Sequence, residues 1–266
     1  DYIGPLKEDL AGYDNTQLNT FFNNLGANAG WVFGAGCGLA GEPDLTFNDS
    51  TVVTIDGSAQ VTGAVFGGGE NGHVLDSTHV VISGGTIGGI PLHGGDDEEV
   101  NITEGAFSGI SFNATTDECH EDEFGAGRRV LRGFVYGGGK GNDFVSIGVY
   151  DPHAGQVYGN SKVEITNGTI YSRVFGGGLL ASVGTFTYAT APLNIDSIVG
   201  VVDGTGLAKV IVSGGQIGTD GNNNGDVLGG GRGQVGRHWE PNYTTGDQVV
   251  NLAYVGNTEV TIKDTA

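Results

Sequence analysis

One pattern constrains this chain more than any other: a triple glycine behind a valine and an aromatic or aliphatic residue. Val65-Phe66, Val135-Tyr136, Val174-Phe175 and Val227-Leu228 each run into Gly-Gly-Gly, and a degenerate copy reads Val32-Phe33-Gly34-Ala35-Gly36. A loop that cradles phosphate is needed once, whereas a block rebuilt this often is a unit of architecture. A second unit, V-x-[IV]-x-x-G-x-[IVF], alternates with the first. It appears as Val80/Ile82/Gly85/Ile87, Val100/Ile102/Gly105/Phe107, Val163/Ile165/Gly168/Ile170 and Val210/Val212/Gly215/Ile217. Val53/Ile55, with Ser58 in the glycine column, is a weaker copy, and Val260/Ile262 a truncated one.

The second unit alternates apolar and polar residues with period two, turns on its glycine, and alternates again. That reads as two short strands joined by a tight bend. The valine and aromatic residue before the triple glycine supply a third strand. Three short strands with glycine corners describe one coil of a parallel β-helix, whose coils stack at ~4.8 Å and turn each apolar column into a ladder. Glycine suits the corners because the backbone there needs φ > 0 or leaves no room for a Cβ. The expected fold is therefore all-β, a parallel β-helix or β-solenoid spanning residues 31–266.

The steps from Val53 to Val80 and from Val80 to Val100 fit single coils. The later steps, to Val163, Val210 and Val260, are long enough to hold corner insertions, expected near 107–132 and 178–205. Residues 1–30 read as an N-terminal cap or helical insertion. Asp14 or Thr16 would cap a short helix carrying Leu18, Phe21, Phe22 and Leu25, which Gly26 would end. The residue before each V-x-[IV] core makes an outward column of His79, Glu99, Lys162, Lys209 and Glu259. Opposite charges in adjacent coils there would contribute ~0.2–1 kcal/mol each.

Composition excludes several classes. Gly accounts for 52 of 266 residues without a Gly-X-Y period, so the chain is not collagen-like. A formal charge of −20 leaves no basic footprint for nucleic acid. No apolar run approaches the ~18 residues of a membrane-spanning helix. There is no Met at all, and the last residues, VGNTEVTIKDTA, stop part-way through a repeat, so the chain is expected to be processed or a piece of a longer array. Cys37 and Cys119 permit one disulfide and no metal cluster.

Two entries into the second unit share a G-N-[ST]-x-V-x-I form, Gly159-Asn160-Ser161-Lys162-Val163 and Gly256-Asn257-Thr258-Glu259-Val260. With the glycine blocks they give a pattern that resembles the glycine-rich repeat arrays of large adhesin-like surface proteins of anaerobic gut bacteria. The resemblance covers roughly residues 30–264. It implies export to the bacterial cell surface and a stalk or adhesive role, and it brings no catalytic residue with it.

Metal-binding candidates come from two places. Asp220, Asn222, Asn224 and Asp226 set side-chain oxygens on alternate residues around Gly225, as Ca²⁺ loops do, although the acid expected further on is Gly231. Asp143 closes a G-G-x-G-x-D match to the Ca²⁺-binding nonapeptide, but the stretches after Gly69 and Gly231 do not continue that array. Acid clusters at Asp96–Glu99 and Asp117–Glu123, the latter around His120, add weak capacity for divalent ions. No cofactor is required, and Ca²⁺ is the cation these oxygens would take.

No Ser/His/Asp, HExxH, GxSxG or Walker pattern is present, so no catalytic residue is assigned. The expected function is a non-enzymatic, extracellular structural or adhesin-like segment. It would associate with itself into an oligomer or fibre, or bind a surface glycan or host protein. The competing reading is a polysaccharide-degrading β-helix lyase or hydrolase, for which Asp143, Asp151, His153 and Arg173 would have to converge on one face. Tyr150, Tyr188, Trp239 and Tyr243, outside the repeat columns, would suit sugar stacking if they lined one groove.

Overall fold

A computed structural model describes the backbone of residues 2–3 and, with side chains, residues 30–38, 45–88, 133–141, 153–190, 198–218, 225–233 and 253–263. These residues contain no α-helix; they form strands, turns and bends, and all strand pairings but one are parallel. In chain order the strands are β1 (Tyr2–Ile3), β2 (Val32–Phe33), β3 (Phe47–Asn48), β4 (Thr51–Ile55), β5 (Gln60–Val61) and β6 (Val65–Phe66). There follow β7 (His73–Val74), β8 (Thr78–Ile87), β9 (Val135–Tyr136), β10 (Ser161–Ile170), β11 (Val174–Phe175) and β12 (Phe186–Tyr188). The last are β13 (Ile198–Val201), β14 (Leu207–Val212), β15 (Gln216–Ile217), β16 (Val227–Leu228) and β17 (Asn257–Ile262). No helix of the described residues is long and apolar enough to cross a membrane.

The strands stack into three parallel ladders. The first takes the strand before each glycine block, in the order β2, β6, β9, β11, β16, with Val32, Val65, Val135, Val174 and Val227 in register. The second is narrow: Asn48 pairs with Val74, and single bridges continue through Val157, Val183 and Val255. The third is the broad sheet, where Val53, Val80, Val163, Val210 and Val260 are neighbours along β4, β8, β10, β14 and β17. The chain passes these ladders in the same order five times, and each pass is called a rung below.

Two expectations are corrected by these pairings. Val80 lies directly against Val163, so the copy at Val100 does not stand between them; residues 89–132 fall outside the described residues. The second unit is also not always two strands: β8 and β10 run unbroken through their glycines, absorbing them as an irregularity in register. Only β4–β5 and β14–β15 are split. The proposed helix at 14–26 lies outside the described residues. An antiparallel hairpin of β12 and β13 stands between Val183 and β14.

The period-two pattern decides which side chains face the interior. In β4 burial alternates strictly, with Thr51, Val53 and Ile55 buried and Val52 and Thr54 exposed. The inward residues form one core of Val53, Val80, Val163 and Val210, Ile55, Ile82 and Ile165, Val61, Ile87 and Ile170, with Val65, Val135 and Val174 from the first ladder. The other residue of β2, β6, β9 and β11 faces away and builds a second core, while Leu228 of β16 is exposed. Phe33, Phe66, Tyr136 and Phe175 stack there with centroids 4.9, 4.8 and 5.0 Å apart, beside Phe134, Ala64 and Leu179.

The glycines serve two different needs. In the blocks they are required by close approach. A Cβ on Gly34, Gly67, Gly137 or Gly176 would overlap the carbonyl oxygen of the equivalent glycine one rung on, Gly67, Gly137, Gly176 and Gly229 in turn. None of these glycines has a positive φ. The single glycines of the second unit do: Gly85, Gly168 and Gly215 sit at +79°, +102° and +86°.

A hydroxyl column ties the broad sheet to the glycine ladder. Thr51 Oγ1, Thr78 Oγ1 and Ser161 Oγ, all buried, donate across 2.6 Å to the carbonyls of Gly67, Gly137 and Gly176, the first block glycine of the following rung. The fourth rung has Ala208 in that column. The chain leaves the second rung at Gly88 and re-enters the third at Gly133, and a Cβ on Gly88 would lie 2.6 Å from the Gly133 Cα.

Candidate functional site

The residue that follows the third glycine of each block is the one the repeat leaves free to vary. The backbone stacks these positions as regularly as the blocks. Glu70, Lys140, Leu179 and Arg232 each donate N–H to the third block glycine of an earlier rung, Gly36, Gly69, Gly139 and Gly178, at 3.2, 2.9, 3.0 and 2.9 Å. The column therefore reads Cys37, Glu70, Lys140, Leu179, Arg232.

Its first three members are joined through one carboxylate. Cys37 Sγ donates to Glu70 Oε2 at 3.2 Å, and Lys140 Nζ donates to Glu70 Oε1 at 2.8 Å. Cys37 is exposed, while the Glu70 and Lys140 side chains keep only 17% and 21% of their surface. The nucleophilic atom thus lies at the surface with the charged pair beneath it. The Asn71 N–H and its side-chain amide both donate to the Cys37 carbonyl, at 2.9 and 3.3 Å, and fix the cysteine backbone. Lys140 Nζ lies 5.7 Å from the Trp31 ring centroid, within cation–π range. The hydrogen bond to Glu70 pushes the Cys37 thiol above its ordinary value of 9.0, helped by burial and by the Glu70 charge and opposed by Lys140.

A second cluster lies on the outward side of the broad sheet, where Val52, His79, Lys162, Lys209 and Glu259 share one register column. Lys209 Nζ is 2.6 Å from Glu259 Oε1, a cross-rung pair of the kind that alternating charge suggests. Glu164, one step along, gathers two partners: Lys162 Nζ at 2.8 Å and His79 Nε2 at 2.7 Å. The Lys162 hydrogen bond draws the Glu164 carboxyl below its usual 4.5; burial opposes this and His79 adds to it. Glu99 lies outside the described residues.

Of the metal candidates, Asp143, Asp220, Asn222 and Asn224 lie outside the described residues. Asp226 Oδ2 is 2.8 Å from Arg173 Nε, an ion pair between the fourth and fifth rungs. Among the described residues no group of three or more His, Cys, Asp and Glu is placed to hold a metal ion. Of the residues considered for a sugar-cleaving face, Arg173 reaches Asp226 and His153 Nδ1 lies 2.6 Å from Gln156 Oε1, while Asp143 and Asp151 are outside the described residues. Cys37 is a free thiol, and Cys119, its candidate disulfide partner, is also outside them.

Sequence reasoning missed the Cys37–Glu70–Lys140 column. The signal was there to find: aligning the five blocks on their glycines puts C, E, K, L and R in one column. No protein-family model matches the chain, and no curated protein or solved structure does either.

Proposed function

We propose that the chain is a non-enzymatic segment of an extracellular protein of the bacterial cell surface, a β-solenoid that serves as a stalk, fibre or adhesin. The observation carrying this reading is the constant order of the three parallel ladders, with Val65, Val135, Val174 and Val227 in one column and Val80, Val163, Val210 and Val260 in another. Each rung contacts its neighbours, so length is added by repetition, and corners are free to carry insertions. An acidic surface suits solubility, and an outward charged column suits a glycan or host-protein ligand.

The test is small-angle scattering of the purified chain, paired with a glycan-binding screen. A rod-like particle with a constant cross-section is expected, and a compact sphere would overturn the solenoid reading. Binding of a glycan abolished by trimming the β12–β13 hairpin would assign the adhesive role to that insertion.

A further inference from the structure

Three successive rungs place a thiol, a carboxylate and an ammonium on one column, and nothing in the stalk reading uses them. An ion pair between rungs needs only Glu70 and Lys140. The thiol of Cys37 on the second carboxylate oxygen makes a different arrangement: a surface nucleophile, a base already in contact with its proton, and a cation held on the other oxygen of that base. Asn71 holds the Cys37 backbone in place, and Trp31 holds Lys140.

We propose that Cys37, Glu70 and Lys140 form an acyl-accepting site, at which Cys37 takes an acyl group from an activated carbonyl compound, a thioester or aryl ester, in a single turnover. Cys37 Sγ forms a bond to the carbonyl carbon as its proton passes to Glu70 Oε2. The carbonyl π pair moves onto oxygen, and the Lys140 ammonium stabilises that oxyanion. Collapse restores the C=O and breaks the bond to the leaving group, which takes the proton from Glu70 and departs as a thiol or phenol. The chain is left S-acylated at Cys37, with no change in oxidation state. A cycle of turnover is not needed, so the site is compatible with a structural segment and would give it a point of covalent attachment.

The raised thiol pKa makes the proposal easy to separate from ordinary cysteine reactivity. A simple exposed thiol reacts through its thiolate, so removing the Glu70 charge would speed it up. If Glu70 is instead the base, its removal slows the reaction. The full chain is mixed with p-nitrophenyl acetate, p-nitrophenol release is followed by absorbance, and the acetyl group is located by peptide mapping. One equivalent released and an acetyl on Cys37 are expected for the natural sequence, and no acetyl at position 37 in Cys37→Ser. Glu70→Gln is expected to slow acetylation by about tenfold or more at neutral pH. Lys140→Met is expected to slow acetylation more than it slows alkylation by iodoacetamide, which builds no oxyanion. An unchanged or faster rate in Glu70→Gln, or acetyl found at sites other than Cys37, would overturn the proposal. The unsubstituted chain also decides by its pH profile. A rate that is level between the carboxylate and thiol ranges supports Glu70 as base, and a rate climbing about tenfold per pH unit towards the thiol range refutes it.

Discussion

Thr78 Oγ1 donates to the carbonyl of Gly137 over 2.6 Å, linking one rung to the next through the interior. Both groups are buried, so each depends on the other for its hydrogen bond. Thr78→Val keeps the shape and removes the donor, and it is expected to cost about 1–3 kcal/mol because the carbonyl is left without it. Urea unfolding curves measured on both proteins would check this, and an unchanged midpoint would show that the carbonyl is satisfied in another way.

The fourth rung offers the converse experiment. Ala208 is fully buried in the column of Thr51, Thr78 and Ser161 and brings no hydroxyl. Ala208→Ser places a donor where Ser161 has one, facing Gly229. The gain is expected to be about 0.5–1.5 kcal/mol, read as a rise in Tm. A fall in Tm would mean the fourth rung is spaced differently from the third.

Glycines in one column should tolerate a methyl group very differently. A Cβ on Gly68, Gly138 or Gly177 would lie 2.8, 2.8 or 2.6 Å from the backbone nitrogen of the next rung's third glycine, whereas one on Gly230 meets nothing within 4 Å among the described residues. Gly138→Ala is expected to destabilise by about 1–3 kcal/mol, since backbone cannot step aside as a side chain can. Gly230→Ala is expected to be neutral or to stabilise by about 0.4–1 kcal/mol. Equal effects in the two variants, measured by thermal unfolding, would contradict the rung-against-rung contact.

Tyr136 has Phe66 at 4.8 Å and Phe175 at 5.0 Å on its two sides and is fully buried. Tyr136→Ala is expected to cost about 3–5 kcal/mol, the range for emptying a large aromatic site. Chemical unfolding followed by aromatic circular dichroism would report both the lost stability and the broken stack.

Glu164 predicts a pH dependence with a definite sign. Its carboxyl titrates below the usual 4.5, chiefly because Lys162 donates to it. A group whose folded-state pKa is depressed adds stability that is fully present above the unfolded value and lost as pH falls through the folded one. The Tm difference between the natural chain and Glu164→Gln should therefore be fully present above the usual 4.5 and shrink as pH falls below it through the lowered folded-state value. A difference that persists in acid would place the effect in packing instead of charge.

Much of this architecture is legible in the residues, for reasons that differ by ladder. Val65-Phe66 and its copies announce themselves because two-residue strands leave no room for variation: valine must enter one core and the aromatic the other. The broad sheet is legible from alternation alone. The second ladder is not, because each of the last four rungs contributes one valine, Val74, Val157, Val183 or Val255, and a single residue has no period. Val74 and Val157 do share an offset to the hydroxyls Thr78 and Ser161. The Val100 copy shows the limit of pattern: it fits the unit as well as Val80 does, yet Val80 pairs with Val163. Sequence also merges the two uses of glycine, since crowding at Gly137 and a left-handed backbone at Gly168 both call for the same residue. The Cys37–Glu70–Lys140 column escaped because chemistry spread over distant blocks has no local motif.

Gly88 and Gly133 touch, so whatever lies between them departs from and returns to a single point of the scaffold. Both ends are fastened to the same neighbouring strand region, Gly88 N–H to the Val61 carbonyl at 2.8 Å and Gly133 N–H to that of Gly63 at 2.9 Å. Closing a loop whose ends already meet costs only about 0.6 kcal/mol more for each doubling of its length. The junction is therefore a graft point. Segments of quite different size and sequence can be exchanged there while β6 and β9 stay paired, without the framework being redesigned.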